Sequence, residues 1–147
     1  MTWKLNDQLC FLLYSSSRQV IKHYKPFLDP LKLTYTQYVT MIALWEEDHQ
    51  TVSDLGARLS LDSGTLTPLL KKLEADGRIQ RTRDDKDERK VWIDLTEQGK
   101  QLAKEAKNIP FEVFQSFAVN EEDAKQLYAI LNKIHREDGD GESYESS

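Results

Sequence analysis

The sequence predicts a mainly α-helical chain that carries one small β-hairpin. Three observations lead there. Apolar residues recur at helical spacing over most of 5–137, the period shortens to two between Ile79 and Leu95, and a helix-start cap precedes most of the periodic runs. Over 5–25, Leu9, Leu13, Val20 and Tyr24 fall near one face, and Leu12 and Ile21 widen it. Pro26 and Pro30 are expected to break that helix. Thr34-Tyr35-Thr36-Gln37 has the form of a capping box, opening a helix through Tyr38, Val39, Ile42 and Trp45 to about Glu47. Thr51-Val52-Ser53-Asp54 opens a short helix through Leu59, and Leu61-Asp62-Ser63 makes a turn. The next helix, roughly 63–76, holds Leu66, Leu69, Leu70 and Leu73 and ends at Gly77 as a left-handed cap. Pro68 removes a helical hydrogen bond inside it, so either the regular helix starts near Thr67 or its first turn is distorted. Ile79 to Arg83 and Val91 to Leu95 read as strands around the charged tip Asp84-Asp85-Lys86-Asp87-Glu88-Arg89-Lys90. Thr96 caps a long helix with Leu102, Ala106 and Ile109, which Pro110 should kink or interrupt, and Asn120 caps a last one with Leu127, Leu131 and Ile134. Residues 138–147, mostly Gly, Ser and acid, read as a disordered acidic tail.

Composition narrows the function classes. The 147 residues, 39% apolar and 31% charged, suit a single domain without repeats or linkers. There is no apolar run of about 18 residues, so no membrane partner is expected. Leu9 to Tyr14 is too short for a signal-peptide core, which implies a cytoplasmic location. Cys10 is the one cysteine, which excludes an intrachain disulfide. Cys10, His23, His49 and His135 lack metal-ligand spacing, so neither metal nor cofactor is expected. Asp84, Asp85, Asp87 and Glu88 lie on a hairpin with no apolar surroundings to raise a carboxyl pKa, which argues against an enzyme. The net charge of −5 argues against nucleic acid until it is mapped. Residues 62–92 carry 8 cations and 7 anions, whereas residues 121–147 carry 3 and 8, so the deficit sits at the end of the chain.

Two short helices joined by a tight turn and followed by a two-stranded hairpin form a winged helix-turn-helix. Its second helix fits the DNA major groove, with N-terminal residues at base edges. Here those residues are Ser63, Gly64, Thr65 and Thr67, with Lys71 and Lys72 behind them to neutralise phosphates. The wing adds Arg81, Arg83, Lys86, Arg89 and Lys90, and an arginine at a hairpin tip suits a narrow minor groove. Taken singly, short polar residues at a helix start are caps, and a charged tip is a solvated turn. The order of the elements and the clustering of the cations carry the inference.

The stretch Leu61-Asp62-Ser63-Gly64-Thr65-Leu66-Thr67-Pro68-Leu69-Leu70-Lys71-Lys72-Leu73-Glu74 resembles the recognition helix of the MarR family. Asp87-Glu88-Arg89, continuing through Val91, Ile93, Leu95 and Thr96, resembles that family's wing. Gln8 to Tyr14, Tyr24-Lys25-Pro26 and Leu33-Thr34-Tyr35 look like its OhrR branch, which senses organic hydroperoxides, and regulators of the SarZ and MgrA kind share much of the pattern. The resemblance covers roughly 5–110 and implies a MarR-type homodimer. About 34–96 would form the winged lobe, and about 5–33 and 97–137 a helical dimerisation region. The dimer would bind a double-stranded, pseudo-palindromic operator with recognition helices about 34 Å apart. Arg89 would enter the minor groove, oriented by Asp87.

The resemblance also gives Cys10 a role. An isolated cysteine on an apolar helix is ordinarily a core residue. Tyr24 and Tyr35 resemble the family's tyrosines that hydrogen-bond a reactive cysteine across the dimer interface. A thiolate attacks a peroxide oxygen and becomes a sulfenic acid, which condenses with a small thiol or over-oxidises. Phe11 and Tyr14 are candidates to line the pocket for the organic part of the peroxide, or plain core residues. Two alternatives stay open within the family: release by a non-redox ligand such as a phenol, and a SarZ/MgrA-like regulator of many stress or virulence promoters. Outside the family stands a helical interaction module without DNA.

Overall fold

The computed structural model describes residues 3–139, which fall into one unit up to Val113 and a second from Phe114 on. After a 3-10 turn at Leu5–Asp7, helix α1 runs Leu9–Leu28. Pro26 does not end it, contrary to expectation. It stands two residues before the last one, so it forfeits only the bond to the Lys22 carbonyl. Leu28 beyond it is 1% exposed, and burying a leucine contributes about 1.5–3 kcal/mol, comparable with the cost of an interior proline, about 3 kcal/mol. Pro30 sits at the start of a 3-10 turn, Asp29–Leu31, where its missing N–H is not needed. Lys32, at φ +57°, then turns the chain.

Helix α2, Tyr35–Glu46, begins with the expected capping box: Gln37 N–H donates to Thr34 Oγ1 at 3.2 Å and Thr34 N–H to Gln37 Oε1 at 3.0 Å. Its buried face is broader than one stripe. Tyr38, Met41, Ala43 and Leu44 are buried, while Ile42, expected inside, is exposed. A helix apolar nearly all round belongs at the centre of a lobe, and α2 stands there. A strand that the sequence did not suggest, β1 at Gln50–Thr51, follows. Thr51 is both a strand residue and the cap of α3, Val52–Leu59, accepting from Asp54 N–H at 3.0 Å.

Asp62 caps helix α4, Ser63–Ala75, by accepting from Thr65 N–H at 2.7 Å. The regular helix therefore begins at Ser63 and not near Thr67. The carbonyl that Pro68 leaves unpaired belongs to Gly64, an exposed residue where water serves. The turn between α3 and α4 is close: a Cβ on Gly56 would lie 2.8 Å from the Leu61 carbonyl oxygen. Gly77, at φ +79°, ends α4 as expected.

Strands β2, Ile79–Arg83, and β3, Val91–Leu95, match the period-two segments. They pair antiparallel with Arg81 opposite Ile93, and β1 joins on the other side of β3, giving the order β1-β3-β2. Met41, Leu44, Leu55, Leu66, Leu70, Leu73 and Ile93 have no exposed surface and form the centre of the lobe. Helix α5, Glu97–Ala106, starts at the Thr96 cap, and α6, Ile109–Gln115, follows after a break at Lys107 and Asn108. Pro110 lies in the first turn of α6, where its missing N–H costs nothing, so the interruption falls before it.

In the second unit, α7 runs Glu121–Gly139, with Asn120 and Asp123 each accepting the other's backbone N–H. The helix reaches Gly139, so the expected tail does not begin at residue 138; residues 140–147 lie outside the described residues. No helix among the described residues is long and apolar enough to cross a membrane.

Candidate nucleic-acid interface and sensor cysteine

The first turn of α4 presents Ser63, Gly64 and Thr65 to solvent, with Thr67 half-buried beside them. The Asp62 carboxylate caps that turn, and the Thr65 amide above all holds its pKa below the usual range. Lys71 and Lys72 are exposed further along, Lys72 paired with Asp76 at 3.3 Å. Such an exposed i,i+4 pair is weak enough for a phosphate to replace. A cleft of about 640 Å³ runs between α3 and the α3–α4 turn, and Arg89 of the wing closes one side of it. Recognition helix and wing therefore meet around one concave surface.

The wing tip is ordered by carboxylates, without an apolar core. Asp84 Oδ2 accepts from the Lys86 and Asp87 N–H groups at 3.1 and 2.9 Å, and Asp84 Oδ1 accepts from Trp92 Nε1 at 2.9 Å. These donors, the indole first, hold the Asp84 carboxyl below the ordinary range. Asp87 takes Arg89 in a fork, Nε to Oδ1 at 3.1 Å and Nη2 to Oδ2 at 3.3 Å, which depresses its pKa in turn. Arg89 remains 91% exposed, so the pair directs the guanidinium without burying it. Lys86 and Lys90 are exposed at the same tip.

The other cations divide. Arg83 is exposed and spans the wing, Nη1 donating to the Glu88 carbonyl at 2.6 Å. Arg81 is turned inward: its N–H and Nε both donate to the Glu74 carboxylate, at 2.8 and 3.1 Å, bracing α4 against β2. Arg78, counted among the cations of 62–92, is buried and donates from Nη2 to the Leu31 carbonyl at 2.8 Å. Spacing gave no warning of either, because charge in a sequence carries no direction.

Cys10 is exposed in the single chain and not the core thiol an isolated cysteine would ordinarily be. Fourteen residues separate it from Tyr24 on α1. Helical geometry puts the two within about 40° of one line but about 21 Å apart along the axis. One protomer does not bring them together. Tyr24 and Tyr35 do meet, with ring centroids 4.9 Å apart, and Tyr38 joins them at 5.6 Å from Tyr24. Burial raises the pKa of all three, Tyr38 to about 12, so the phenols remain O–H donors. Tyr14, like Cys10, is exposed, and Phe11 is half-buried.

A helix-turn-helix joined by one concave surface to a two-stranded wing that holds an arginine out at its tip defines a winged-helix regulator. The transcriptional regulator SarA/Rot family matches residues 22–106. The organic hydroperoxide resistance transcriptional regulator of Bacillus subtilis is 48% identical over 137 residues, covering 90% of this chain and 93% of its own. The regulator SarZ of Staphylococcus aureus is 46% identical over 130 residues, 88% of each chain. Among solved structures, reduced AbfR bound to DNA superposes with a TM-score of 0.72 at 37% identity, covering 90% of this chain and 91% of that one. The chain belongs to the SarA/Rot family of transcriptional regulators, with the MarR-type winged helix expected of it. It is a regulator and not an enzyme.

Proposed function

We propose that the chain is a homodimeric, redox-sensing repressor in the cytoplasm. It holds a pseudo-palindromic operator while Cys10 is reduced and releases it when an organic hydroperoxide oxidises that thiol. The observation that carries this reading is the position of the single cysteine: Cys10 extends the same stripe of α1 that ends in Tyr24 and the buried Leu28, on a stretch no part of its own lobe covers. A second copy packed along α1, antiparallel to the first, would bring the Tyr24–Tyr35 pair of one protomer to Cys10 of the other. The name of the Bacillus relative supplies the oxidant class, and the structures of reduced, overoxidised and disulfide-formed AbfR support redox chemistry in a regulator of this kind.

In the chemical step the Cys10 thiolate attacks the peroxide oxygen distal to the organic group. An S–O bond forms, the O–O bond breaks, and the alkoxide leaves and takes a proton to become an alcohol. Sulfur is oxidised to the sulfenic acid, and a low-molecular-weight thiol then condenses with it to a mixed disulfide and water. An adduct on the α1 face disturbs the dimer packing and hence the spacing of the two lobes. Full switching from 99:1 to 1:99 requires about 5.5 kcal/mol of differential affinity, which two symmetric sites share.

On the DNA, Ser63, Gly64, Thr65 and Thr67 take the base edges, Lys71 and Lys72 the phosphates, and Arg89, aimed by Asp87, the minor groove. Arg83, Lys86 and Lys90 add phosphate contacts. Arg81, tied to Glu74, acts by bracing the wing. Residues 34–96 make up the DNA-binding lobe, and the flanking helices the dimerisation region.

The test uses a duplex selected from a random pool by the reduced wild-type protein. Stoichiometric cumene hydroperoxide is expected to release wild type and not Cys10→Ser. Equal binding of both after oxidation overturns the redox reading. A second reading, release by a small phenolic ligand, draws on an apolar cleft of about 240 Å³ bounded by Ile21, Lys25, Leu28, Leu33 and Tyr35. Likeness to SarZ leaves room for many promoters rather than one, which genome-wide site mapping decides.

A further inference from the structure

A contact from outside the wing reaches the residues that order its tip. The loop before β1 carries His49 at φ +61°, a left-handed conformation uncommon for a residue with a Cβ. Its surroundings hold it on three sides. Asp48 Oδ1 accepts from the His49 and Leu95 N–H groups, both at 2.8 Å. His49 Nδ1 donates to Asp94 Oδ1 at 2.7 Å. The imidazole lies flat on the Trp92 indole, with centroids 4.2 Å apart and planes within 1°. Trp92 then donates to Asp84, Asp84 gathers the Lys86 and Asp87 amides, and Asp87 grips Arg89.

We propose that His49, Trp92 and Asp84 are positioning residues for Arg89, setting the direction of its guanidinium and so the affinity of the wing for DNA. The proposal rests on the DNA-binding reading above. Arg89 is long and almost wholly in water, and an exposed ion pair alone holds such a side chain weakly. Asp87 directs it only if Asp87 is itself fixed; backbone bonds from Asp84 N–H to the Lys90 carbonyl and from Lys90 N–H to the Asp87 carbonyl close the tip, and the Asp84–Trp92 hydrogen bond is the side-chain link from there to the sheet. The Trp92 ring, half-exposed on a narrow sheet, has one face covered by His49, and backbone strain at His49 persists where neighbours over-determine it. Pre-setting an arginine before DNA arrives lowers the ordering cost of binding.

The test is a double-mutant cycle read by fluorescence anisotropy on the selected duplex. Trp92→Phe keeps an aromatic face under His49 and removes the indole donor. It is expected to weaken binding about tenfold, equivalent to about 1.4 kcal/mol. In the Arg89→Ala background it should change binding less than about twofold, since there is no guanidinium left to aim. The slope of log affinity against log salt should fall by about 0.9, as for the loss of one cationic contact. Asp84→Ala, which leaves the ring stack in place, should reproduce this coupling. His49→Ala should give a smaller loss, again absent without Arg89. If the loss is the same in both backgrounds, Trp92 acts through general stability and the proposal is overturned. If Arg89→Ala weakens binding but Trp92→Phe and Asp84→Ala do not, the proposal falls and the wing reading stands. If Arg89→Ala itself binds as wild type, the wing reading fails and takes the proposal with it.

Discussion

Leu70 and Leu13 are the same residue in the same kind of amphipathic helix, yet Leu70 has no exposed surface and Leu13 keeps 43% of its own. The contrast extends to whole elements. Around Leu70, Leu55, Leu66 and Leu73 of α3 and α4 close on Met41 and Leu44 of α2 and Ile93 of β3, all without exposed surface, and only Ile42 on the outer side of α2 stays open. Along α1, Leu9, Leu12, Leu13 and Ile21 stay exposed, and on α7, described by itself, Leu127, Ile130 and Ile134 do the same at positions i, i+3 and i+7. Periodicity marks a face to be covered and says nothing of what covers it. The lobe completes its core within one chain. The α1 and α7 faces suit a second copy, because contiguous apolar surface of this kind is seldom left in water.

Leu70→Ala should break the closed half of that contrast. A buried leucine truncated in a packed core costs about 2–5 kcal/mol, so the urea midpoint for the winged lobe should fall sharply, and operator binding with it. Leu13→Glu should break the open half. On the proposed interface it buries an uncompensated charge worth roughly 3 kcal/mol, which raises the dimer dissociation constant by about two orders of magnitude in sedimentation experiments. Helical content by circular dichroism should stay, because Leu13 is not part of the lobe's core. A variant that remains dimeric at low micromolar concentration would remove Leu13 from the interface.

The smallest effect sharpens a third case, the wing, ordered by carboxylates instead of apolar burial. Donors depress the folded pKa of Asp84 and Asp87. Their contribution is therefore present above the ordinary aspartate value, about 3.9, and is lost as pH falls through the lower folded values. Amide exchange at Lys86, Asp87 and Arg89 should stay protected across the neutral range and accelerate only under strongly acid conditions. Amides of β3 near Ile93, held by apolar packing, should not follow at the same pH. Loss of wing protection already near pH 6 would assign its order to another group.

Much of the fold is legible in the chain because the signals are local. A threonine three residues before a glutamine makes a capping box at Thr34, a glycine past Leu73 ends a helix, and alternation from Val91 to Leu95 makes a strand, whatever surrounds them. The same locality explains the errors. Pro26 looks like a helix end until Leu28 is seen to be buried, and Pro68 looks like a distortion until the exposed Gly64 is seen to need no helical partner. Strand β1 has no signal of its own: Gln50 and Thr51 are polar, and only the β3 edge beside them makes them a strand.

For the site, residue type and order alone determined the helix-turn-helix and the wing, which lie close in sequence, while the Asp87–Arg89 pair followed from the wing's resemblance to the MarR family. The tertiary structure alone decided which cations face outward. Arg81 and Arg78 turn in because Glu74 and the Leu31 carbonyl, 7 and 47 residues away, accept hydrogen bonds from them. It also decided that His49 lies flat on Trp92, 43 positions further along the chain. Hydrogen bonds and ring contacts between distant residues depend on backbone direction, and that is set by the buried leucines of the lobe rather than by the side chains it displays.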